Sequence, residues 1–397
     1  MGPIGEGESL ILRVNRNCPW NKCLFCPVYK EKKFSRRDVS EIKRDIDAIQ
    51  KIAELIEQTS WDIGFSGRIN KELRKEVVRH NPEIYGRGSG SVTYDNYLAL
   101  TSLNNVFNWF LCGAKRVFLQ DANALAVKPG DLIDILNYLQ ETFPTVDKVT
   151  CYARSKTCSR TSFSDLTRLK KAGLSGIFVG IESGCDDVLE YMKKGVTSKE
   201  HIVGGQTVKE AGIDLAAFVM PGLAGSDRKL SERHILETLE VLNKIKPTEV
   251  RIRSLAIIED SPLYVRWKSG EFELPSDDQM IEETRQLLEG LTFDCTFETF
   301  QMTNVLFNTR GKLSTIKQEL LAKIADYQAL SPGERLILRF ERYLFEGYLD
   351  CVDMWGKLDQ KLARSIEDAQ ISLQKGSDDA TAKAEAAIFA IKSKGIP

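Results

Sequence analysis

No apolar run in this chain approaches the ~18 residues that a membrane-spanning helix needs, and no leader-like segment opens it. The expectation is a soluble cytoplasmic protein with no membrane partner. Charge of one sign is not in excess either: 55 Lys and Arg face 56 Asp and Glu over 397 residues. No global field therefore recruits nucleic acid or anionic lipid, and no nucleic-acid partner is expected. Histidine is scarce. His80, His201 and His234 lack any partner pattern, and each reads as a surface or helix histidine rather than a base. No internal repeat or low-complexity tract stands out. Nine cysteines would suggest a disulfide framework in a small secreted chain, but with no leader present reduced thiols are the economical reading.

Three of those cysteines carry the chemistry. Cys18, Cys23 and Cys26 fall in the stretch NRNCPWNKCLFCPVYK, a CxxxxCxxC cluster directly after the strand-like run that starts at Leu10. A tetrahedral structural zinc needs a fourth ligand, and the next candidates, His80 and Cys112, are far along the chain. An iron–sulfur cube is ordinarily held by four thiolates; with three, one iron keeps a position open for a reactant. A disulfide pair with a spare thiol and a zinc site closed by a distant cysteine are the alternatives. Cys112, Cys151, Cys158, Cys185, Cys295 and Cys351 have no CxxC spacing; most read as small buried residues, with Cys151 and Cys185 near strand ends where they could line a pocket.

From Leu10 to about Leu263 short β-branched or apolar runs alternate with amphipathic stretches. Strands are expected at Leu10–Arg16, 116–121, 148–154, 176–183, 214–220 and 249–257, with helices between the later ones. That order implies parallel βαβ units. Six of them fit a partial (βα)6 TIM-like barrel, and a doubly wound sheet fits the alternation nearly as well. Residues 58–97, with the run YGRGSGS, read as a long inserted loop, either a lid over the barrel mouth or a plain surface insertion. Beyond 264 the pattern is mostly helical, apart from a strand-like run at 293–300. The expected domains are therefore a core over 1–264 and a C-terminal helical accessory region over 265–397.

The cysteine cluster resembles that of the radical S-adenosylmethionine (SAM) superfamily. Its usual spacing is CxxxCxxC with an aromatic before the last cysteine, a place Phe25 fills. The extra residue between the first two cysteines is a departure that some subgroups share. The resemblance implies the barrel, a [4Fe–4S] cluster on Cys18, Cys23 and Cys26, and SAM chelating the open iron. It also implies an enzyme that cleaves SAM reductively to a 5′-deoxyadenosyl radical, which takes hydrogen from a substrate. An electron donor such as ferredoxin or flavodoxin would supply the reductant, and a small organic molecule is the expected substrate. An iron–sulfur electron-transfer protein without SAM turnover is the alternative.

Reactive residues of parallel α/β folds gather at the C-terminal strand ends, and the resemblance assigns several there. At VFLQDAN, Gln120 and Asp121 take by position the place where the family often has Gly-Gly-Glu around the SAM ammonium. At CYARSK, Arg154 suits a carboxylate. VGIESG resembles the V-G-[IVL]-[EQ]-S segment of coproporphyrinogen-oxidase-like and methylthiotransferase-like members, which puts Glu182 and Ser183 beside the SAM ribose or amino group. FVMPGLAGSD is similar to a segment whose backbone flanks the adenine. RIRSLAIIEDSPLY is similar to the run that ends the core, and Arg253, alternating with Arg251, is expected to point inward at an anion. No catalytic side chain is assigned. The basic run Lys30–Arg37 reads as a solvated face or a phosphate contact. Elongator-type tRNA modifiers would carry a C-terminal acetyltransferase domain that the helical tail does not suggest, so a small-molecule reaction is favoured.

Overall fold

The computed structural model describes residues 6–86, 93–306, 308–349, 352 and 359–394. Most of the YGRGSGS run, Cys351 and residues 355–358 of an expected helix lie outside the described residues. The chain divides into two compact units: Met1–Pro19, Lys33–Phe178 and Thr207–Asp214 form one, and Trp20–Lys32, Val179–Gln206 and Leu215–Pro397 the other.

In the first unit, β1 (Leu10–Arg13) pairs in parallel with β4 (Arg116–Gln120), Leu10 opposite Val117 and Arg13 opposite Gln120. β4 pairs in parallel with β5 (Lys148–Ala153). Val117, Phe118 and Leu119 are all buried, as a parallel strand covered on both faces requires. The helix Val39–Asp62, which buries Ile42, Ile46 and Ile56, packs on the helix Pro129–Thr142, which buries Leu132, Ile135, Leu136 and Leu139. The 3- and 4-residue spacings of the second set keep its apolar face on one side. A two-stranded ribbon, β2 (Asn15–Arg16) against β3 (Ser35–Arg36), brackets the cysteine loop.

Residues 58–97 are not the structureless loop expected. They hold helices at Lys71–His80 and Pro82–Tyr85 as well as the end of Val39–Asp62 and the start of Tyr94–Leu111. Asn70 caps the first of these, its side chain accepting from Leu73 N at 3.0 Å, and Leu73, Val77 and Val78 are buried. The glycine-serine run outweighed this cap and the short apolar spacing in the sequence reading.

In the second unit β7 (Asp214–Val219) pairs in parallel with β8 (Glu249–Ile252), and β8 with β9 (Thr296–Glu298). β10 (Arg310–Lys312) closes the series antiparallel to β9. Its core gathers Leu24, Met192, Met220, Leu255, Leu263 and Phe272, with the helix Asp277–Gly290 adding Met280. With β6 (Leu174–Glu182) included, the strands follow one another as β1-β4-β5-β6-β7-β8-β9-β10 in an eight-stranded sheet. That order never reverses. A doubly wound sheet would reverse at a switch point, so the alternation is that of a partial (βα)6 barrel, extended by two strands from the C-terminal region. Among the described residues no helix is long and apolar enough to cross a membrane.

Candidate functional site

In the first unit the candidate residues lie at the ends of β1, β4 and β5. Asp121 is buried, and its carboxylate accepts from the backbone N–H of Asn17 at 2.9 Å, with Arg13 Nε 3.6 Å away. Its own N–H donates to Asn15 Oδ1 at 3.2 Å, and Asn15 Nδ2 donates to the Asn123 carbonyl at 2.7 Å. A hydrogen bond from a backbone N–H to an ionised acceptor is a strong one. Asp121 therefore orients the residue next to Cys18. Gln120 is buried, and its carbonyl accepts from Val14 N at 2.5 Å. Arg154 is half-buried, and its N–H donates to Asn123 Oδ1 at 3.3 Å while Asn123 Nδ2 reaches Thr157 Oγ1 at 2.8 Å. Asn15 and Asn17 were missed by sequence reasoning. Nothing in a strand-end asparagine distinguishes a hub from a turn.

The second unit holds Cys23 and Cys26, both half-buried. Leu24 between them is buried; its N–H donates to the Met192 carbonyl at 3.0 Å and its carbonyl accepts from Leu263 N at 2.9 Å. The loop is thus pinned through its backbone on both sides. Lys30 Nζ donates to the carbonyls of Asn21 and Cys23, both at 2.9 Å, which commits this lysine to the loop rather than to a phosphate. Trp20 Nε1 donates to the Lys193 carbonyl at 2.7 Å. Its indole lies where a Cβ on Gly195 would come within 2.1 Å of the ring, and Gly195 has φ +66°. Only glycine satisfies both demands.

At the end of β6, Glu182 has φ 64°, an uncommon backbone for this residue type. Its Oε1 accepts from Lys194 Nζ at 2.9 Å, with the two side chains 10% and 14% exposed. The Lys194 ammonium stands 5.5 Å from the Phe25 ring centroid. Phe25 and Glu182, expected at one cofactor from distant motifs, are thus linked through one lysine that the sequence reading did not single out. Ser183 Oγ lies 2.8 Å from His234 Nδ1 and accepts from Cys185 N at 3.0 Å. His234 Nε2 is 3.3 Å from the Met220 carbonyl. A carbonyl only accepts, so the proton of this imidazole sits on Nε2 and the Ser183 hydroxyl donates to Nδ1. Burial pushes His234 down to about 4 and keeps it neutral. His234 is therefore a buried helix histidine, on Arg228–Ile245, that ties the end of β6 to the Met220 carbonyl.

Arg253 corrects an expectation. β8 ends at Ile252, so the alternation does not carry Arg253 inward; it is exposed. The buried arginine is Arg251, matched by Glu249 at 2.9 Å and Glu298 at 2.7 Å. Burial pushes the Cys151 thiol far up and Cys158 to about 12, which leaves both as inert neutral thiols.

The donor set fits an iron–sulfur cluster. No disulfide joins Cys18, Cys23 or Cys26, and among the described residues no three His, Cys, Asp or Glu side chains converge as ligands of a single ion.

No family model matches the chain. Over 118 residues, 30% of its length, it is 29% identical to the tRNA uridine(34) acetyltransferase of Methanocaldococcus jannaschii. Over 157 residues, 39% of its length, it is 23% identical to Elongator complex protein 3 of Mus musculus. The matched stretches span 22% and 28% of those relatives' own lengths. Among solved structures it is similar to HydG, a maturase of the [FeFe]-hydrogenase, at 14% identity and TM-score 0.41, over 98% of this chain and 80% of that one. It is also similar to Methanocaldococcus infernus Elp3 with an N-terminal deletion, at 18% identity and TM-score 0.41, over 54% and 55%. The expectation that nucleic acid is no partner is overturned, because the archaeal relatives are named for tRNA. The Elongator-type branch, set aside for want of an acetyltransferase domain, is the one these relatives represent. The cysteine spacing and the strand order agree with the resemblance to the radical SAM superfamily, and the chain is similar over about a third of its length to tRNA uridine(34) acetyltransferases and Elongator complex protein 3.

Proposed function

We propose that Cys18, Cys23 and Cys26 hold the cluster, that Glu182, Phe25 and Lys194 hold SAM, and that the substrate is a nucleoside within an RNA. When bound, the cofactor pair supplies reductive cleavage of the sulfonium and a 5′-deoxyadenosyl radical that takes a hydrogen atom from the substrate. The observation that carries the reading is the bridge from the cysteine loop to the end of β6, with Lys194 Nζ 2.9 Å from Glu182 Oε1 and 5.5 Å from the Phe25 ring.

The residues divide the work. Leu24, pinned on both backbone sides, holds Cys23 and Cys26 in place. Lys194 orients the Glu182 carboxylate through Oε1, and Oε2 of Glu182 can accept from ribose hydroxyls or an ammonium. Asp121 performs the corresponding task for the segment leading into Cys18. The RNA assignment is supported by the tRNA enzymes among the sequence relatives and by exposed Lys33 and Arg36 in the basic run after the cysteines.

Protein reconstituted anaerobically is expected to bind about four irons per chain and, with SAM and dithionite, to release 5′-deoxyadenosine, more of it when unmodified tRNA is added. Changing any of the three cysteines to alanine should abolish both iron binding and product. Four irons with no deoxyadenosine would leave an electron carrier instead. Turnover that tRNA does not alter would remove RNA as substrate.

A further inference from the structure

The turn that follows β7, Met220 to Ser226, is strapped down from the C-terminal region. Gly222 N donates to Glu283 Oε2 at 2.5 Å, and Ser231 Oγ donates to Glu283 Oε1 at 2.5 Å. One turn before Glu283 on the same helix, Met280 packs so closely that a Cβ on Gly222 would lie 2.6 Å from its sulfur, and Gly222 has φ +87°. Farther along the turn, Gln279 Nε2 donates to the Gly225 carbonyl at 3.2 Å. Ser226 closes the strap, its N–H donating to the Glu273 carbonyl at 3.1 Å and its hydroxyl to Glu273 Oε2 at 2.6 Å.

Glu283 is the centre of this arrangement. It is 2% exposed, and among the described residues no cation pairs with it. A buried carboxylate without a counter-ion is costly, and neither packing nor helix formation asks for one at this place. What it supplies is two acceptor oxygens aimed at one glycine N–H and one hydroxyl. Leucine would fill the same volume at lower cost and leave Gly222 N without its acceptor. The group therefore trades stability for the geometry of the turn.

We propose that Glu283 is a positioning residue for the SAM site: it holds the Pro221–Gly222 turn in the shape that receives the cofactor, which makes the helix Asp277–Gly290 a necessary part of that site. This rests on the reading of the chain as a SAM-binding enzyme, in which the β7 turn flanks the adenine. On the helix that carries Ser231, His234 Nε2 meets the Met220 carbonyl at 3.3 Å, so the turn is held from two elements.

The test uses the full-length, cluster-loaded protein and three variants. Glu283→Ala removes both acceptors. Glu283→Gln keeps an acceptor for Gly222 N, and its amide can donate to Ser231, whose hydroxyl is able to rotate. Gln279→Ala loosens the same turn from a half-buried position and is the fallback if Glu283→Ala fails to fold. Two quantities are read: hydrogen exchange of the peptide covering 219–226, and the Kd for SAM by calorimetry. Glu283→Ala should speed exchange there and weaken SAM binding by roughly 10- to 100-fold, the usual cost of losing an orienting partner, with iron content unchanged. Glu283→Gln should stay near wild type in both, and Gln279→Ala should fall between. Faster exchange with unaltered SAM affinity would overturn the proposal, and so would unaltered exchange. Wild-type protein that loads iron but binds no SAM would instead defeat the functional reading, and the exchange data would still decide whether Glu283 holds the turn.

Discussion

A single side chain can carry a measurable pH dependence, and His234 is the clearest case. Burial holds its pKa at about 4 against the ordinary 6.5. The unfolded chain thus binds this proton first, and stability is lost as pH falls from 6.5 towards 4. One unit is 1.36 kcal/mol, so the loss reaches about 2 kcal/mol by pH 5. Glu283 acts in the opposite sense. Burial pushes it up to about 7, so its contribution is complete below pH 4.5 and is lost as pH rises through 7. The two partly cancel in the wild-type protein. Urea denaturation of wild type and His234→Gln at pH 7 and pH 5 separates them: the variant should gain about 2 kcal/mol relative to wild type on acidification. A difference that does not change with pH would mean the imidazole is not held neutral.

Among the elements, the C-terminal helices owe their attachment to a buried charge cluster. Asp277, at the first position of its helix, accepts from Lys392 Nζ at 2.7 Å, with Arg339 Nη1 and Tyr343 Oη each at 3.4 Å. Burial alone would raise its pKa, but Lys392 and Arg339 outweigh that and hold it below the ordinary carboxylate range. Removing one partner of a buried pair strands the other charge, at a typical cost of 3–5 kcal/mol. Lys392→Met should lose about that much in a denaturant titration, and Asp277→Asn in the same chain should recover part of it. An unchanged midpoint would show that Arg339 alone suffices. The sequence contained the pieces of this cluster but not their meeting, because Asp277 and Lys392 are 115 positions apart and each reads as a surface charge.

For the molecule as a whole, balanced charge limits how RNA can be held. With 55 basic and 56 acidic side chains there is no long-range field, so any RNA contact depends on local cations such as the exposed Lys33 and Arg36. Neutralising two phosphates of a single strand gives a slope of log K against log salt of about −1.4. Filter binding across a salt series should show a shallow slope of that order, flattening when Lys33 and Arg36 become alanine. A steep slope, or one the double variant leaves intact, would move the contact elsewhere on the chain.

Much of the scaffold was readable before any coordinates, because alternation of apolar strands with amphipathic helices is a local property. β1 and β4 to β8 lie where those runs predicted them, and the cysteine spacing carries the resemblance to the radical SAM superfamily. The capped helix at Lys71–His80 was missed although Asn70 signalled it, since one cap weighs little beside a glycine-serine run. By itself the sequence determined the order of elements and the three thiols, both written in neighbouring residues. Only the tertiary structure decided that Asp121 serves the chain, that Lys194 joins Phe25 to Glu182, and that Glu283 holds the β7 turn. Those are pairings of groups distant along the chain, and no periodicity or spacing encodes which of many polar residues will meet once the backbone has folded.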